Sequence, residues 1–287
     1  MKILLSSAVA VTVAMAIAPA FGADMLPYTK APVPTTYDWS GVYFGGHIGG
    51  GWDTTTYADP GAGNILNNCC LLVSTTNNPS ASTNATSSGF LGGGQVGWNY
   101  QIGRLVVGAD FDWSKTSLNA NGAGPTFSAV AAGTPFANET YSLKTNWTAT
   151  STATIGVARD RWMLFTKAGV AWANNNYGVG VNGIGGTFGG PGGVPFAFSG
   201  TNSNTVTGWT VGIGAKWAFA DNWFLNLEYN YLDFGSKAQN INGAFTAQPG
   251  AFLAVSPAAT FTPTFNQNIS EVKLGVNYKF APGLLFF

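Results

Sequence analysis

Residues 143–157 read LKTNWTATSTATIGV, and apolar and polar side chains alternate along them. Six of the eight odd-numbered positions are apolar, whereas none of the seven even-numbered positions is. Successive side chains of a β-strand point to opposite faces, whereas the side chains of a helix repeat every 3.6 residues. The stretch therefore predicts a β-strand with one apolar face and one polar face.

Three other segments, 105–113, 205–219 and 271–280, share this two-residue period. In the first of them every odd position is apolar, and Asp110 and Asp112 fall together on the other face. Four further segments match the pattern less cleanly: 39–52, 88–101, 162–173 and 223–234. Together these segments predict eight strands.

The predicted connections alternate between short and long. Short ones fall near 102–103, 159–161 and 220–222, and long ones span about 53–87, 115–142, 174–204 and 235–266. Tight turns at one end and long loops at the other are typical of an outer-membrane barrel. The predicted fold class is all-β: an eight-stranded antiparallel up-and-down transmembrane β-barrel with long extracellular loops. These loops are rich in Gly, Ala, Asn, Thr and Pro, so we expect solvated segments without a core.

Composition favours the same class. The 287 residues include 12 basic and 12 acidic side chains, only 8% charged in all, together with 39 glycines and 14% aromatics. About a quarter of residues are charged in an ordinary soluble domain. After the N-terminus there is no apolar run long enough for a membrane helix, and the neutral balance argues against nucleic-acid binding. A soluble β-sandwich or lipocalin-like barrel is the alternative, but it would carry charge rather than Trp, Val and Phe on its outward face.

The sequence predicts four regions along the chain. Residues 1–22 are expected to be a cleaved signal peptide, because Lys2 precedes an apolar stretch and small residues end it. Residues 23–38, with three prolines, are expected to be an extended periplasmic lead-in rather than a packed element. Residues 39–280 form the predicted barrel, and 281–287 a short C-terminal extension.

Aromatic and basic residues gather where the strands would cross the membrane surfaces. All ten tryptophans fall within predicted strands. Four of them are predicted interfacial residues close to the short turns: Trp98, Trp162, Trp217 and Trp223. The three arginines also lie at this end, where their side chains would reach lipid phosphates.

Strand parity places eight charged side chains on the predicted inner face. They are Asp110, Asp112, Lys144, Lys167, Lys216, Glu228, Glu271 and Lys273. Four acids and four bases in a narrow lumen are expected to pair, because an unpaired buried charge costs several kcal/mol. Side chains fill an eight-stranded barrel, whereas water-filled porins have about sixteen strands. We therefore predict a lumen plugged by ion pairs, with a small gated pore as the alternative.

An ordered set of segments resembles a known family. Residues 37–46 (YDWSGVYFGG) resemble the opening strand of the Gram-negative outer-membrane β-barrel or porin family, which includes alphaproteobacterial outer-membrane immunogenic and RopB proteins. Further matching segments are 89–101, 208–212, 228–235 and 273–280. The resemblance implies an OmpA-like barrel and surface antigen in the outer membrane, surrounded by outer-membrane lipids and lipopolysaccharide.

The last predicted strand carries Gly275, Tyr278 and Phe280. These residues resemble the C-terminal signal that the outer-membrane assembly machinery reads. The chain departs from the family pattern because seven residues follow Phe280. Phe287 is therefore the alternative terminus of the signal.

No motif predicts catalysis, a cofactor or a metal site. His47, the only histidine, shares parity with Tyr43 and is expected to fill the lumen. The glycine runs at 45–51 and 92–94 lack the Gly-Lys-Ser/Thr of a phosphate loop, so we expect small residues in a narrow interior instead. Cys69 and Cys70 are adjacent in the sequence. A disulfide between them would close a strained ring, and disulfides to another chain and two free thiols are equally compatible with the sequence.

The sequence therefore predicts a structural outer-membrane protein that supports envelope integrity and exposes loops to host surface molecules. The loops carry no basic patch, and residues 174–204 contain no charge, so nucleic acid is not an expected partner. The alternatives are a small-solute diffusion pore, a lipid-modifying enzyme that uses His47, and a secreted carbohydrate-binding protein.

Overall fold

The computed structural model describes residues 37–58, 82–128, 135–185, 194–247 and 258–280. The predicted signal peptide, both cysteines and the C-terminal extension lie outside these ranges. Ten strands occur in the described residues: β1 (Gly41–Ala58), β2 (Ser82–Ile102), β3 (Leu105–Ser128), β4 (Pro135–Arg159), β5 (Trp162–Gly185), β6 (Val194–Ala218), β7 (Trp223–Ala238), β8 (Ile241–Ala247), β9 (Ala258–Phe261) and β10 (Thr264–Lys279).

Eight of these strands close into a ring. Each strand from β1 to β6 pairs antiparallel with the next, and β10 pairs with both β7 and β1. The predicted eight-stranded up-and-down barrel is confirmed. The remaining strands, β8 and β9, form a hairpin that pairs with the N-terminal half of β6. Among the described residues there is no helix with the length and apolar character needed to cross a membrane.

The short connections lie where alternation predicts them. Ile102 pairs with Leu105 and Arg159 pairs with Trp162, so two residues suffice for each of these turns. Gly103 has a φ of 61° and Asp160 a φ of 54°, a left-handed backbone that glycine adopts freely and Asp tolerates. In barrels of this type the short turns face the periplasm. We call this end of the barrel the periplasmic end.

The outer surface of the barrel is apolar across the membrane-spanning part. Ile213 is 64% exposed, Leu164 67% and Val276 44%, each on the face that alternation assigns to lipid. The inward neighbours on the same strands are buried and largely polar. This arrangement inverts that of a soluble barrel and confirms the predicted facing of these strands.

Two of the predicted loops are largely strand, so the predicted bounds 115–142 and 174–204 are wrong. β3, β4, β5 and β6 continue through most of these residues and carry the barrel well beyond the apolar band. A core of inward-facing apolar and aromatic side chains fills this upper part, and its members include Tyr57, Leu143, Tyr177, Val179 and Phe265. Because these inward side chains bury apolar surface, the segments pair as strands instead of remaining solvated.

Inward-facing glycines allow the strands to approach one another closely. A Cβ atom built on Gly93 would lie 1.8 Å from the Trp113 carbonyl oxygen, and one on Gly49 would lie 2.1 Å from the Val272 carbonyl oxygen. The outward-facing Gly94 has no such conflict, since its nearest atom would lie 3.6 Å away. The inward-facing members of the glycine runs therefore serve packing within the narrow barrel, as the sequence predicts.

Candidate functional site

The centre of the lumen holds five buried charged side chains from four strands. This central cluster consists of Asp112 on β3, Lys167 on β5, Glu228 on β7, and Glu271 and Lys273 on β10. All five are predicted lumen residues. Alternation brings them together, because each occupies an inward position at a similar height on its strand.

Lys273 bridges two sides of the lumen. Its Nζ lies 2.6 Å from Asp112 Oδ1 and 2.8 Å from Glu271 Oε2. The bond to Asp112 crosses the barrel interior, because β1 and β2 stand between β3 and β10 in the ring. An ion pair between non-adjacent strands closes the space between them, whereas a pair on neighbouring strands would only line the wall.

Lys167 completes the crossing from the other side. Its Nζ lies 2.9 Å from Glu228 Oε2 and 3.7 Å from Asp112 Oδ2. Asp112 therefore faces two lysines, and Thr150 Oγ1 donates a 2.5 Å hydrogen bond to its Oδ2. Buried ion pairs are tolerated only when most of their hydrogen-bonding capacity is used, and this carboxylate meets that requirement.

A second, smaller group lies one layer nearer the periplasmic end. Lys216 Nζ donates to the Tyr43 hydroxyl at 2.9 Å and lies 3.8 Å from Asp110 Oδ1. Thr154 Oγ1 donates to Asp110 Oδ2 at 2.5 Å. The structure therefore places seven of the eight predicted charges in the lumen and brings all seven into ion pairs.

Lys144 is the exception, and its predicted lumen position is wrong. Its side chain is exposed on the outer wall, whereas Leu143 beside it is fully buried. The pairing of β4 with β5 shifts between Thr145 and Trp147, which leaves Asn146 as an extra residue. Such a β-bulge reverses the facing of every residue beyond it, so the parity that holds at 148–157 fails at 144.

Lys279 is an inward base that the sequence argument missed. It is buried near the end of β10, and its Nζ donates to the backbone carbonyl of Asp38 and lies 4.2 Å from the ring centroid of Tyr37. Its parity with Lys273 and Asn277 was the available signal. This lysine ties the residues before β1 to the periplasmic mouth of the barrel.

An aromatic stopper fills that mouth. We use this term for Tyr37 and Trp39, whose rings pack edge to face; Trp39 also packs against Phe224, which in turn contacts Tyr43. Trp39 is fully buried, and its backbone N–H donates to Gln101 Oε1 at 2.8 Å. Burial raises the pKa of Tyr37 to about 12, so its phenol stays protonated. Tyr37 is thus a packed residue within the predicted extended lead-in.

Above the central cluster the lumen is filled layer by layer. An apolar layer that includes Leu118, Leu232 and Ile269 comes first. A polar layer follows, in which Gln267 Nε2 donates to Asp53 Oδ2 at 3.2 Å and Asn175 Nδ2 donates to Gln267 Oε1 at 2.6 Å. The aromatic upper core lies beyond it. Asp53, which no sequence motif marks, is therefore a buried lumen residue.

His47 faces the lumen, as the sequence predicts, and is buried there. Its Nε2 lies 2.7 Å from Ser114 Oγ, which resembles two members of a Ser-His-Asp triad. Its Nδ1 has no hydrogen-bond partner among the described residues, so the carboxylate that would orient the imidazole is not in place. No group of three or more His, Cys, Asp or Glu side chains in the described ranges is arranged to hold a metal ion.

The predicted interfacial tryptophans lie on the outer surface near the periplasmic end. Trp98, Trp162, Trp217 and Trp223 are each at least 40% exposed. The Trp162 and Trp217 rings are stacked, with their centroids 5.8 Å apart. This position fits an aromatic girdle at the membrane surface.

The three residues of the predicted assembly signal lie at the closing seam between β10 and β1. Gly275 faces inward, where an added Cβ would lie 2.3 Å from Asn226 Oδ1. Tyr278 and Phe280 share the outer face and pack edge to face at 5.2 Å. The Phe280 N–H donates to the Val42 carbonyl at 2.9 Å, just beyond the end of β10.

Comparison with known proteins identifies the family. The model of the outer membrane protein beta-barrel domain matches residues 7–280. The chain is 28% identical over 255 residues to the 31 kDa outer-membrane immunogenic protein of Brucella melitensis, which covers 88% of each chain. It is 21% identical over 272 residues to the 25 kDa outer-membrane immunogenic protein of Brucella abortus, which covers 92% of each chain.

Among solved structures, the outer membrane protease OmpT of Escherichia coli superposes with a TM-score of 0.41 at 10% identity, covering 88% of this chain and 99% of that one. The family match over nearly the whole chain agrees with the closed ring, the apolar outer band and the buried polar lumen. This chain belongs to the outer membrane protein beta-barrel family and lies in the outer membrane of a Gram-negative bacterium.

Proposed function

We propose that this barrel is a closed structural protein that supports the integrity of the outer membrane and presents its upper barrel at the cell surface. The observation that carries this proposal is the ion pair between Lys273 and Asp112, which joins non-adjacent strands across the lumen. The stopper below it and the apolar layer above it support the same conclusion, because ions would meet packed side chains at each level. Side chains alone fill barrels of this size.

The proposal also assigns partners to three surfaces. The apolar band and the aromatic girdles contact outer-membrane lipids and lipopolysaccharide. Gly275, Tyr278 and Phe280 are the residues that the assembly machinery would read. The neutral extracellular segments are available to host surface molecules, and the barrel requires no cofactor and carries out no catalysis in this role.

A strain that lacks the protein tests the role against a small-solute pore. Loss of a structural barrel should increase sensitivity to detergent and leakage of a periplasmic enzyme, because the outer membrane becomes more permeable without it. Loss of a pore should instead slow the uptake of small sugars while the membrane stays tight. The proposal fails if uptake falls, detergent sensitivity is unchanged, and the wild-type gene restores uptake.

The same strain tests the enzymatic alternative. The contact between His47 and Ser114 is the feature on which a lipid-modifying activity would depend. We expect the lipid profile of the deletion strain, and of a strain with His47→Ala, to match that of the wild type. A lipid modification that is lost in both strains would replace the structural role with a catalytic one.

A further inference from the structure

The outer wall of the upper barrel carries a shallow trough that extends from β3 across β4 and β5 to β6. Its floor is formed by Gly178 and Gly180, which have no side chains to fill it. Hydroxyl groups border it on both sides, from Thr140 and Ser142 on β4 and from Ser199 and Thr201 on β6. Its volume is about 610 Å³. This size and lining suit a group rich in hydroxyls, because all four border hydroxyls can accept a hydrogen bond and those other than Thr140, which donates to the Gly180 carbonyl at 3.3 Å, can also donate one.

Lys144 stands at the membrane-proximal edge of this trough. It follows Thr140 and Ser142 on the same face of β4 and lies between Asn119 of β3 and Asn176 of β5. All three side chains are exposed. The β-bulge at Asn146 is what turns the Lys144 ammonium outward. The edge of the trough thus presents a cation flanked by two amides.

A second lysine lies below, on the neighbouring strand. Lys115 of β3 is exposed and pairs in register with Trp147 of β4. The two lysines are about 10–13 Å apart along the wall, from the rise per residue of a strand. Within the described parts of β3 to β6 beyond this level, the acidic side chain present is Glu139, which is buried on the inner side. The described outer wall is therefore positive here.

This positive, hydroxylated wall continues directly from the lipid-facing surface. Trp113 is two residues before Lys115 on the same outer face and is 42% exposed within the apolar band. A ligand that fills the trough and extends along this wall would therefore place an apolar part beside Trp113 and a polar part beside Lys115 and Lys144. A lipid in the outer leaflet satisfies this condition, whereas a soluble ligand has no need of the adjoining apolar band.

We propose that Lys115, Lys144 and the trough form a binding site for the phosphorylated saccharide headgroup of an outer-leaflet glycolipid of the lipopolysaccharide type. The two ammonium groups bind phosphates, for which lysine serves as a point charge. The hydroxyls and amides of the trough bind the sugars. The inference depends on the location in the outer membrane and holds whether or not the lumen conducts.

The test measures binding of purified lipid A, with both phosphates, to the folded full-length barrel in neutral detergent. A Lys115→Gln/Lys144→Gln variant should bind about thirtyfold more weakly, since each lysine near an anionic lipid surface contributes about a fivefold factor in affinity and the two factors multiply. The matched control is Lys237→Gln, which removes an exposed cation from β7 outside the site and should change the affinity less than about threefold. Dephosphorylated lipid A should bind the wild type weakly and should not distinguish the variants.

A second variant separates sugar recognition from general attraction to anions. Thr140→Val/Thr201→Val keeps the side-chain volume and removes two hydroxyls from the borders of the trough. It should weaken binding of lipid A about fivefold and leave binding of phosphatidylglycerol unchanged, because that lipid has no saccharide. Heat-modifiable mobility on gels would verify folding of each variant. The proposal is overturned if the lysine double variant binds lipid A as tightly as the wild type, or if phosphatidylglycerol binds equally well and responds equally to every substitution.

Discussion

Lys273 Nζ lies 2.6 Å from Asp112 Oδ1, and both side chains are almost completely buried. The two residues sit on strands that are not neighbours, so the bond spans the lumen. The second lysine of Asp112, Lys167, approaches the other carboxylate oxygen at 3.7 Å. Asp112 is thus shared by two ion pairs that join non-adjacent strands.

Asp112→Asn should therefore destabilise the barrel. The substitution leaves two buried lysines short of one anion, and breaking a buried ion pair by removing one partner costs about 3–5 kcal/mol. The free energy of unfolding in urea, measured from detergent micelles, reports this loss. Asp160→Asn is the control, because Asp160 lies in an exposed turn with a left-handed backbone that Asn also adopts. Equal stability of the two variants would mean that the central cluster does not support the fold.

Gly93→Ala and Gly94→Ala should differ sharply although the residues are adjacent. A methyl group on Gly93 meets the backbone of Trp113, whereas one on Gly94 would contact the Gly45 carbonyl oxygen at an ordinary van der Waals distance of 3.6 Å. Overpacking of this kind costs about 1–3 kcal/mol, and an exposed surface change is within about 0.5 kcal/mol. Refolding yield and urea unfolding measure the difference. Similar values for the two variants would show that the inward glycines are not required for close strand pairing.

Ile213→Arg should impair insertion into lipid, because arginine on the lipid face of a barrel costs about 2–4 kcal/mol near the middle of the membrane. Ser203→Arg, on the same strand and the same outer face but above the apolar band, should insert normally. The fraction folded in phosphatidylcholine vesicles, read from gel mobility before and after boiling, is the measurement. If both arginines are tolerated equally, the assigned membrane-spanning band is misplaced.

Trp39→Ala should destabilise the periplasmic end of the barrel. Trp39 is fully buried against Phe224 at a centroid distance of 5.6 Å, and Trp→Ala in a packed core costs about 3–5 kcal/mol. Trp209→Ala, which removes a half-exposed ring from the outer surface, should cost less. Urea unfolding of both variants tests the stopper, and an equal or smaller loss for Trp39→Ala would contradict it.

The facing of side chains could be predicted from sequence wherever apolar and polar residues alternate strictly along a strand. The lumen positions of Asp110, Asp112, Lys216 and Lys273 are predictable because each lies on a stretch of strand that pairs without a register shift and whose opposite face must meet lipid. Lys144 could not be assigned in the same way, because the bulge at Asn146 has no sequence marker and one extra residue reverses the parity.

The upper barrel was missed for a different physical reason. Its outer face meets water, so Ser, Thr and Asn occupy the positions that Val and Trp hold lower down, and the composition is that of a loop. The inward residues Tyr177, Val179 and Val181 still alternate and carried the available signal. The packing of the stopper was harder still to predict from sequence, because the burial of Tyr37 depends on contacts with strands that are distant in the chain.

Electrical current through single barrels in a planar lipid bilayer shows whether side chains close the lumen from the stopper to the upper core. We predict that the wild-type barrel inserts without steady current steps, even when insertion is verified by gel mobility of the same sample. Reproducible single-channel steps from the wild type, abolished by a substitution that adds volume to the lumen, would contradict the account.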